Sequence, residues 1–401
     1  MPAKGRNLSD WIDGFLQYTE NTEPPKLFRK WTAISCVASA LQRKVRVDWG
    51  TALTWFPNFY IVLVGPSATG KGTAMTPALN VLNEVPAVRL SAQATSRQAL
   101  IRHLKNTNLT SIDMETGMQQ FHSSLTVFSK EFTVFLGYHN LELISDLCDW
   151  YDCDRRWAYE TISRSTEEIV GVWLNLIAGT TPELIQLSLP MESFGSGLTA
   201  RIIFVYEEAP DKLVTLPTET SAEREIFTYL VRDLEEISML SGSFRWTTGF
   251  VELWDTWCRH ASANPPFHGY KFDGYNGRRR VHLMKLAMII AVSHGENGLV
   301  LTEVDLTKAI KWLAEVEVKM GLTFKGVGKS DIAGLMNKAT LYINSSVVRS
   351  IPLHTFARYF ESDIDKPTLD RLLRTLEVAR IARVINRPGQ ESCIERCEQD
   401  D

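Results

Sequence analysis

The strongest constraint on the fold is a glycine-rich loop that lies between an apolar segment and a helical segment. Residues 58–65 (NFYIVLVG) form an apolar run with several β-branched side chains, which predicts a buried parallel strand. The loop GPSATGKGT follows at Gly65–Thr73, and residues 73–85 (TAMTPALNVLNEV) are typical of a helix. Strand, glycine-rich loop and helix in this order are the context that a phosphate-binding loop requires.

The loop itself fits the Walker A pattern. Its glycines let backbone N–H groups turn inward onto phosphate oxygens, and Lys71 places a positive charge at the β- and γ-phosphates. Gly72 stands where the pattern has a hydroxyl, so Thr73 is the candidate ligand for Mg²⁺. The alternative is a glycine-rich turn that binds nothing. The residues expected to contact the nucleotide are Gly65, Pro66, Ser67, Ala68, Thr69, Gly70, Lys71, Gly72 and Thr73.

Further apolar runs at 87–92, 124–129, 170–179 and 201–206 alternate with helical patterns. This alternation predicts an α/β fold, a P-loop NTPase core with a mostly parallel sheet. We expect five segments along the chain. They are a helical lead-in at 1–49, the ATPase core at 50–210, a helical lid at 211–325, a winged-helix module at 332–390 and a disordered acidic tail at 391–401.

Composition adds only broad limits. The formal net charge is −4, which neither requires nor excludes a nucleic-acid partner. The six cysteines form no CxxC pair, so a zinc site and a disulfide framework are not indicated. No apolar run reaches membrane-spanning length, and the first residues lack an apolar signal core, so we expect a cytoplasmic protein without a membrane partner.

A candidate catalytic carboxylate follows the run at 124–129. Hydrolysis of ATP needs a carboxylate that orients water and helps to hold Mg²⁺, and Glu131 stands at the end of this predicted strand. Lys130 occupies the place of the usual aspartate, which leaves open that hydrolysis is slow. The alternative is that Glu131 is only a carboxylate at a helix start.

Two more polar positions flank predicted strands. The segment VWLNLIAGTT predicts a further strand. In ring-forming ATPases a strand at this place lies between strands that carry the acidic loops, and it offers a polar residue to the attacking water. Thr180 is the candidate and Asn175 the alternative. Arg201 stands just before the run at 202–206, where a rigid arginine can reach across a subunit boundary and stabilise a transferring phosphoryl group. The alternative is a surface arginine that caps a helix.

Taken in order, the segments GPSATGKGT, FSKE, LIAGTTPE, GLTARIIFVY, RRRVHLMKLAMIIAV and TEVDLTKAIKWL resemble a known family. They are similar to the helicase-like ATPases of uncharacterised function that bacteriophages, prophages and plasmids encode, and more distantly to the minichromosome maintenance helicases of the AAA+ class. The resemblance covers about residues 30–390. It implies an arginine finger at Arg201, a sensor arginine at Arg280 that opens a lid helix, and ATP and Mg²⁺ as cofactors.

Two regions are candidates for nucleic-acid contact. Residues 157–173 alternate around SRST, which predicts a β-hairpin with Arg164 at its tip and Arg155 and Arg156 at its base. In ring helicases a hairpin here points into the central pore and grips phosphates. The predicted winged helix carries a set of arginines that suits phosphate contacts. They include Arg371 and Arg374, together with Arg380, Arg383 and Arg387. Solvated surface arginines are the alternative for both regions.

These patterns together predict a ring, of hexameric type, that hydrolyses ATP to move along or unwind DNA in replication. Its partners would be single-stranded or forked DNA, other copies of the chain and replication proteins. Three other functions stay open. One is a helicase loader or protein remodeller with the same ATPase core, and another is a monomeric kinase for a small molecule. The third is an ATP-binding switch with little turnover, which Lys130 suggests.

Overall fold

A computed structural model describes most of the chain. The described residues are 5–92, 95–113, 116–138, 140–161, 164–189, 197–216, 218, 220–294, 298–324, 332–346, 348–360, 365–385 and 391–397. They form two compact units, residues 1–325 and 326–401. Among the described residues, no helix combines the length and the apolar character that crossing a bilayer demands.

The first unit contains both helices and strands. Its helices are α1 (Trp11–Tyr18), α2 (Lys26–Leu41), α3 (Lys71–Asn83), α4 (Arg97–Asn106), α5 (Phe132–Leu136), α6 (Leu141–Asp152), α7 (Pro182–Ser188), α8 (Ser221–Ser238), α9 (Thr248–Ala263), α10 (Asp273–Ser293) and α11 (Glu303–Met320). Its strands are β1 (Val45–Trp49), β2 (Leu53–Trp55), β3 (Tyr60–Val64), β4 (Asn108–Ile112), β5 (Gln119–Ser129), β6 (Arg156–Thr161), β7 (Arg164–Val170), β8 (Val172–Thr180), β9 (Ile202–Tyr206), β10 (Gly242–Ser243), β11 (Arg245–Trp246) and β12 (Val300–Leu301).

The fold is mixed α/β, as predicted, and its centre is a five-stranded sheet in the order β4-β5-β8-β3-β9. Strands β5, β8, β3 and β9 are parallel, and β4 pairs antiparallel with β5 at one edge. All five residues of β3 and all nine of β8 are buried, because helices cover both faces of a parallel sheet. This burial explains the continuous apolar runs in the sequence.

One predicted strand is absent. Within the run at 87–92, only Leu90 pairs with the sheet, through an isolated parallel bridge to Thr126 of β5. Two backbone hydrogen bonds flank this bridge, from Ser91 N to Thr126 O and from Thr126 N to Arg89 O. The other end of the same edge of β5 pairs with β4. The segment therefore has only a short stretch of edge available, and the prediction of a full strand is wrong.

The predicted boundaries near residues 49 and 210 do not separate compact units. Helix α2 is buried along almost its whole length and packs on β3, β8 and β9, so the expected lead-in is part of the core. Helix α8, expected in the lid, packs on α1, α2 and α3. A helix buried on all sides needs neighbours from several parts of the chain, which joins the three predicted segments into one unit.

The second unit combines three helices with a three-stranded antiparallel sheet. Its elements are α12 (Ile332–Ser345), β13 (Ser350–Pro352), α13 (Leu353–Phe360), α14 (Lys366–Val378), β14 (Ala382–Ile385) and β15 (Cys393–Arg396), with sheet order β13-β15-β14. Its core contains Phe356, Phe360, Leu372 and Ile394.

The prediction of a disordered tail from residue 391 is wrong for residues 393–396. These residues form β15, the central strand of the second sheet, which pairs with both β13 and β14. The acidic composition concealed a short strand pattern in which Ile394 is buried while Arg396 is exposed. The burial of Ile394 and the pairing with two strands stabilise this segment despite its polar neighbours. The module therefore extends past residue 390.

Candidate nucleotide-binding site

The loops that follow the central strands emerge at one edge of the sheet. Val64, the last residue of β3, pairs with Thr180 of β8 and with Tyr206 of β9. Ser129, at the end of β5, pairs with Ala178 of β8. Ligands of open α/β sheets bind at this carboxyl edge, so the register brings the glycine-rich loop, Glu131 and Thr180 to one place.

The backbone of the loop depends on glycine at two positions. Gly70 has φ +86°, and a Cβ there would also lie 3.1 Å from Cγ of Pro24. Gly65 lies against the backbone of Glu207, whose carbonyl oxygen a Cβ would strike. Pro66, Ser67 and Ala68 form the exposed crest of the loop. The chain can make this tight turn only without side chains at the two glycines.

Helix α3 begins directly after this turn, at Lys71, with Gly70 as its N-cap. The first N–H groups of a helix have no intrahelical acceptor, and a glycine cap has no side chain to occupy them. The first backbone bond of the helix runs from Ala74 N to Gly70 O. The N–H groups of Lys71, Gly72 and Thr73 therefore remain available for an anion, which the helix dipole also favours.

Lys71 points back over the loop. Its Nζ donates hydrogen bonds of 2.7 Å to the carbonyl oxygens of Gly65 and Pro66. Partial burial lowers the pKa of Lys71, while the carboxylates of Glu131 and Glu183 act in the opposite direction. Charged acceptors bind an ammonium more strongly than neutral carbonyls, so a phosphate can replace the two loop carbonyls.

Glu183 is a site residue that sequence reasoning missed. It lies in the first turn of α7, three residues after Thr180, and its side chain is exposed. Its charge acts on Lys71 and also on Tyr206 at the end of β9. Burial and nearby carboxylates raise the pKa of Tyr206. The signal was the segment TTPE directly after a buried strand, where an acidic residue reaches the same edge as the loop.

The two predicted Mg²⁺ ligands lie near the glycine-rich loop. Thr73 and Glu131 are both exposed at the carboxyl edge, and a Cβ on Gly72 would lie 3.9 Å from Cδ of Lys130. No cluster of three metal-ligating side chains occurs in the described parts of the chain. Mg²⁺ on a nucleotide is held mainly by phosphates and water and needs only one or two protein oxygens, which Thr73 and Glu131 can supply.

Thr180 and Asn175, the two alternatives on β8, lie in different surroundings. Thr180 ends the strand beside the loop, and its carbonyl oxygen accepts a bond of 3.3 Å from Gly65 N. Asn175 is fully buried in mid-strand. Its Oδ1 accepts a hydrogen bond of 2.9 Å from Phe59 N, and its Nδ2 donates one of 2.9 Å to Oγ of Ser35. Asn175 therefore joins β8 to α2 and the chain before β3, and Thr180 is the residue at the edge.

Arg201 lies at the opposite edge of the sheet. It comes just before Ile202, which pairs with Tyr60, the first residue of β3. The five residues of β3 therefore separate Arg201 from the loop, a distance of about 16 Å. Its Nη2 contacts Asp152 Oδ2 at 2.5 Å, and its Nη1 donates to Gly197 O at 3.0 Å. Arg201 cannot complete the site of its own chain.

Arg280 is not brought to the loop either. Its neighbour Arg278 contacts the same Asp152 as Arg201, at 3.0 Å, so this end of α10 belongs to the amino edge of the sheet. Arg280 itself is exposed, and its charge acts on Cys258 of α9. That Arg280 binds nucleotide stays a prediction, and the start of α10 beside Asp152 places it away from the loop of its own chain.

The predicted hairpin is present as β6 and β7, which pair antiparallel. Arg155 and Arg156 are exposed at its base, and Arg156 lies 3.5 Å from Glu168 across the hairpin. Arg164 begins β7, opposite Thr161, and only its backbone is among the described features. Positive charge is thus present at the base of the hairpin, and it is partly neutralised.

In the second unit, Arg371 and Arg374 lie on the exposed face of α14. Neither makes an ion pair with another residue that the structure describes. Arg383 lies 3.6 Å from Glu395 on the neighbouring strand, and Arg387 lies outside the described residues. The opposite face of α14 supplies Leu372 and Leu376 to the core, so the helix presents its arginines outward.

No protein-family model matches this sequence, and no curated protein matches it. The functional proposal therefore rests on the residues at the two edges of the sheet.

Proposed function

We propose that this chain is an ATPase of the P-loop class that assembles into a ring, of hexameric type, and moves along or unwinds DNA. The observation that carries the proposal is the carboxyl edge of the sheet. There, the uncapped start of α3 and Lys71 lie beside Thr180, with Glu131 and Glu183 acting on the same lysine. N–H donors, a cation and carboxylates in one place suit a nucleotide triphosphate with Mg²⁺.

In this mechanism each residue has a defined task. The N–H groups after Gly70 bind phosphate oxygens, and Lys71 stabilises charge at the β- and γ-phosphates. Thr73 would hold Mg²⁺ through its hydroxyl, with Glu131 beside it, and the bound ion would neutralise phosphate charge. Glu131 orients the attacking water, and Thr180 contacts the γ-phosphate.

The position of Arg201 supports the ring. Because it lies about 16 Å from the loop of its own chain, it can stabilise a transferring phosphoryl group only in a neighbouring subunit. Hydrolysis at such a shared site couples chemistry to movement between subunits. The hairpin with Arg155, Arg156 and Arg164 would then contact single-stranded DNA.

The second unit supports the same proposal independently. Three helices packed with a three-stranded antiparallel sheet, with exposed Arg371 and Arg374 on α14, suit a winged-helix module that contacts DNA phosphates. Contacts of this kind are salt-dependent and independent of sequence.

ATP hydrolysis with and without single-stranded DNA tests this function. We expect the native protein to hydrolyse ATP faster when DNA is present. Lys71→Ala should lower the rate at least about 100-fold, because it removes a charge that acts in the transition state. Lys311→Ala, which removes an exposed lysine of α11, is the matched control.

Unchanged hydrolysis by Lys71→Ala would contradict the proposed site. Phosphate transfer to a small acceptor by a particle that light scattering shows to be monomeric would instead indicate a kinase. DNA-dependent hydrolysis without strand displacement would indicate a loader or remodeller.

A further inference from the structure

One carboxylate at the amino edge of the sheet holds two arginines. Asp152 is the last residue of α6, and its Oδ2 contacts Arg201 Nη2 at 2.5 Å while its Oδ1 contacts Arg278 Nη1 at 3.0 Å. The three residues come from separate elements: α6, the 3₁₀ turn Thr199–Arg201 and α10. Asp152 thus fixes the mutual placement of side chains that the backbone alone does not bring together.

The surroundings restrict Arg201 further. Its Nη1 donates to Gly197 O at 3.0 Å, and its guanidinium lies 6.0 Å from the ring centre of Tyr151. The turn that carries it is held by His282, whose Nε2 lies 3.0 Å from Ala200 O. Only 11% of the Arg201 side chain is exposed, so its direction is set by these contacts.

The cluster keeps unused binding capacity. Two arginines share one carboxylate, which leaves an excess of one positive charge. Arg201 Nε is buried and has no hydrogen-bond partner among the residues that the structure describes. A guanidinium has five N–H donors, and unsatisfied buried donors are unfavourable. Because Nε is buried, the net positive charge of the cluster, and not this donor, favours an anion that arrives from outside the chain.

Solvent reaches the carboxylate side of the cluster. The side chain of Asp152 is 43% exposed and that of Arg278 is 31% exposed. The open face therefore lies where another subunit can approach, on the far side of the sheet from the phosphate-binding loop.

We propose that Asp152 is a positioning residue that aims Arg201 at the phosphates of a neighbouring subunit. The inference rests on the proposed function, in which Arg201 acts in trans. Asp152 does not touch the nucleotide; it limits the orientations of the guanidinium before the subunits meet. Preorganised charge is more effective in catalysis than charge that must be reoriented, so loss of Asp152 lowers the rate without weakening ATP binding.

Mixing two inactive variants isolates this effect. Arg201→Ala keeps its own loop but supplies no arginine, and Lys71→Ala supplies Arg201 but has no working loop. If Arg201 acts in trans, mixed rings regain ATP hydrolysis. Asp152→Asn is then introduced into the Lys71→Ala chain only, so that any loss appears in the site of the other chain.

We expect the Asp152→Asn donor to restore at least about tenfold less activity than the parent donor. The ATP affinity of the Arg201→Ala chain in the same mixture should stay unchanged. A donor with Asp255→Asn is the matched control, because among the residues that the structure describes the ion-pair partner of Asp255 is exposed Arg259 on α9, at 2.8 Å. An Asp152→Glu donor, which keeps the charge, should recover most of the loss. An Asp152→Ser donor, which also removes the charge, replaces the Asn donor if that chain does not fold.

Full restoration by the Asp152→Asn donor would overturn this inference and leave the shared site intact. If the parent variants restore nothing although the native protein hydrolyses ATP, Arg201 does not act in trans. That outcome overturns both this inference and the ring mechanism, while the phosphate-binding loop is judged separately from Lys71→Ala.

Discussion

The loop before Lys71 keeps its shape because Gly70 has no side chain. The positive φ of Gly70 and its contact with Pro24 leave no room for a side chain. A non-glycine residue in the left-handed region is less favourable by about 1–2 kcal/mol before any clash is counted. The same glycine leaves the start of α3 without a side-chain cap, so conformational need and ligand access coincide at one residue.

The carboxylates near Lys71 differ from those of the usual acidic motif of ATPases. Lys130 replaces the acidic residue expected before Glu131, and Glu183, in the first turn of α7, is the second carboxylate that acts on Lys71. A carboxylate beside the bound nucleotide stabilises the hydrated Mg²⁺ even without direct coordination. In the proposed site, Glu183 would supply part of the charge that Lys130 does not.

This assignment makes Glu183→Gln a specific test. We expect the variant to need about tenfold more Mg²⁺ for half-maximal ATP hydrolysis, because outer partners of metal ligands contribute on this scale. Glu208→Gln is the control, since Glu208 follows β9 and acts on Tyr206 but is not among the charges that act on Lys71. An unchanged Mg²⁺ requirement for Glu183→Gln would remove Glu183 from the site.

At the scale of elements, the central strand of the second sheet comes from the last part of the chain. Strand β15 pairs with β13 on one side and β14 on the other, and Ile394 is buried. The helices α12 and α14 pack on one another, and α14 packs on β14. Loss of β15 would leave β13 and β14 without their shared partner, and fewer than three paired strands are marginal in water.

Ile394→Ala should therefore destabilise the second unit. Removal of a buried isoleucine side chain lowers the free energy of unfolding by about 2–5 kcal/mol. Hydrogen–deuterium exchange on the full chain should show faster exchange in 332–397 and little change in the first unit. Val378→Ala on α14, at a position 85% exposed, should leave exchange unaltered. Equal exchange in both variants would mean that β15 contributes little.

At the scale of the molecule, the first unit is built from segments far apart in sequence. Helix α1 packs on α2 and on α8, and Trp11 Nε1 donates to Leu230 O at 2.9 Å. Asp10, the N-cap of α1, also lies 2.6 Å from Lys308 of α11. The beginning of the chain thus ties two helices from beyond residue 210 to the core, and unfolding of one part exposes the others.

Trp11→Ala should lower the stability of the whole first unit. A truncated buried tryptophan costs about 3–5 kcal/mol. Urea unfolding of the full chain should show the loss in the main cooperative transition. Val318→Ala, at a site of α11 that is 81% exposed, should change stability by less than about 0.5 kcal/mol. A shift confined to a separate minor transition would contradict the integration of α1.

The sheet also keeps two groups of polar residues apart, one at each of its edges. The loop, Glu131 and Thr180 lie at the carboxyl edge, whereas Arg201, Arg278 and Asp152 lie at the amino edge. A single chain cannot bring these groups together across the length of β3. The separation is a property of the parallel sheet as a whole, and it makes assembly of several copies part of the proposed chemistry.

Local sequence alone was sufficient for the α/β class, the glycine-rich loop, the strand before it and the β6–β7 hairpin. Each depends on residues close together in sequence: β-branched runs, glycines at a turn, or alternation around a tip. Only the tertiary structure decided that the run at 87–92 pairs through one residue, that Cys393–Arg396 is a central strand, and that the charge of Glu183 acts on Lys71.

The same holds for Arg201, Arg278 and Arg280, because the edge of the sheet that a side chain occupies depends on strand order and direction. Strand pairing and ion pairs join residues that are distant along the chain, and no local pattern contains that information.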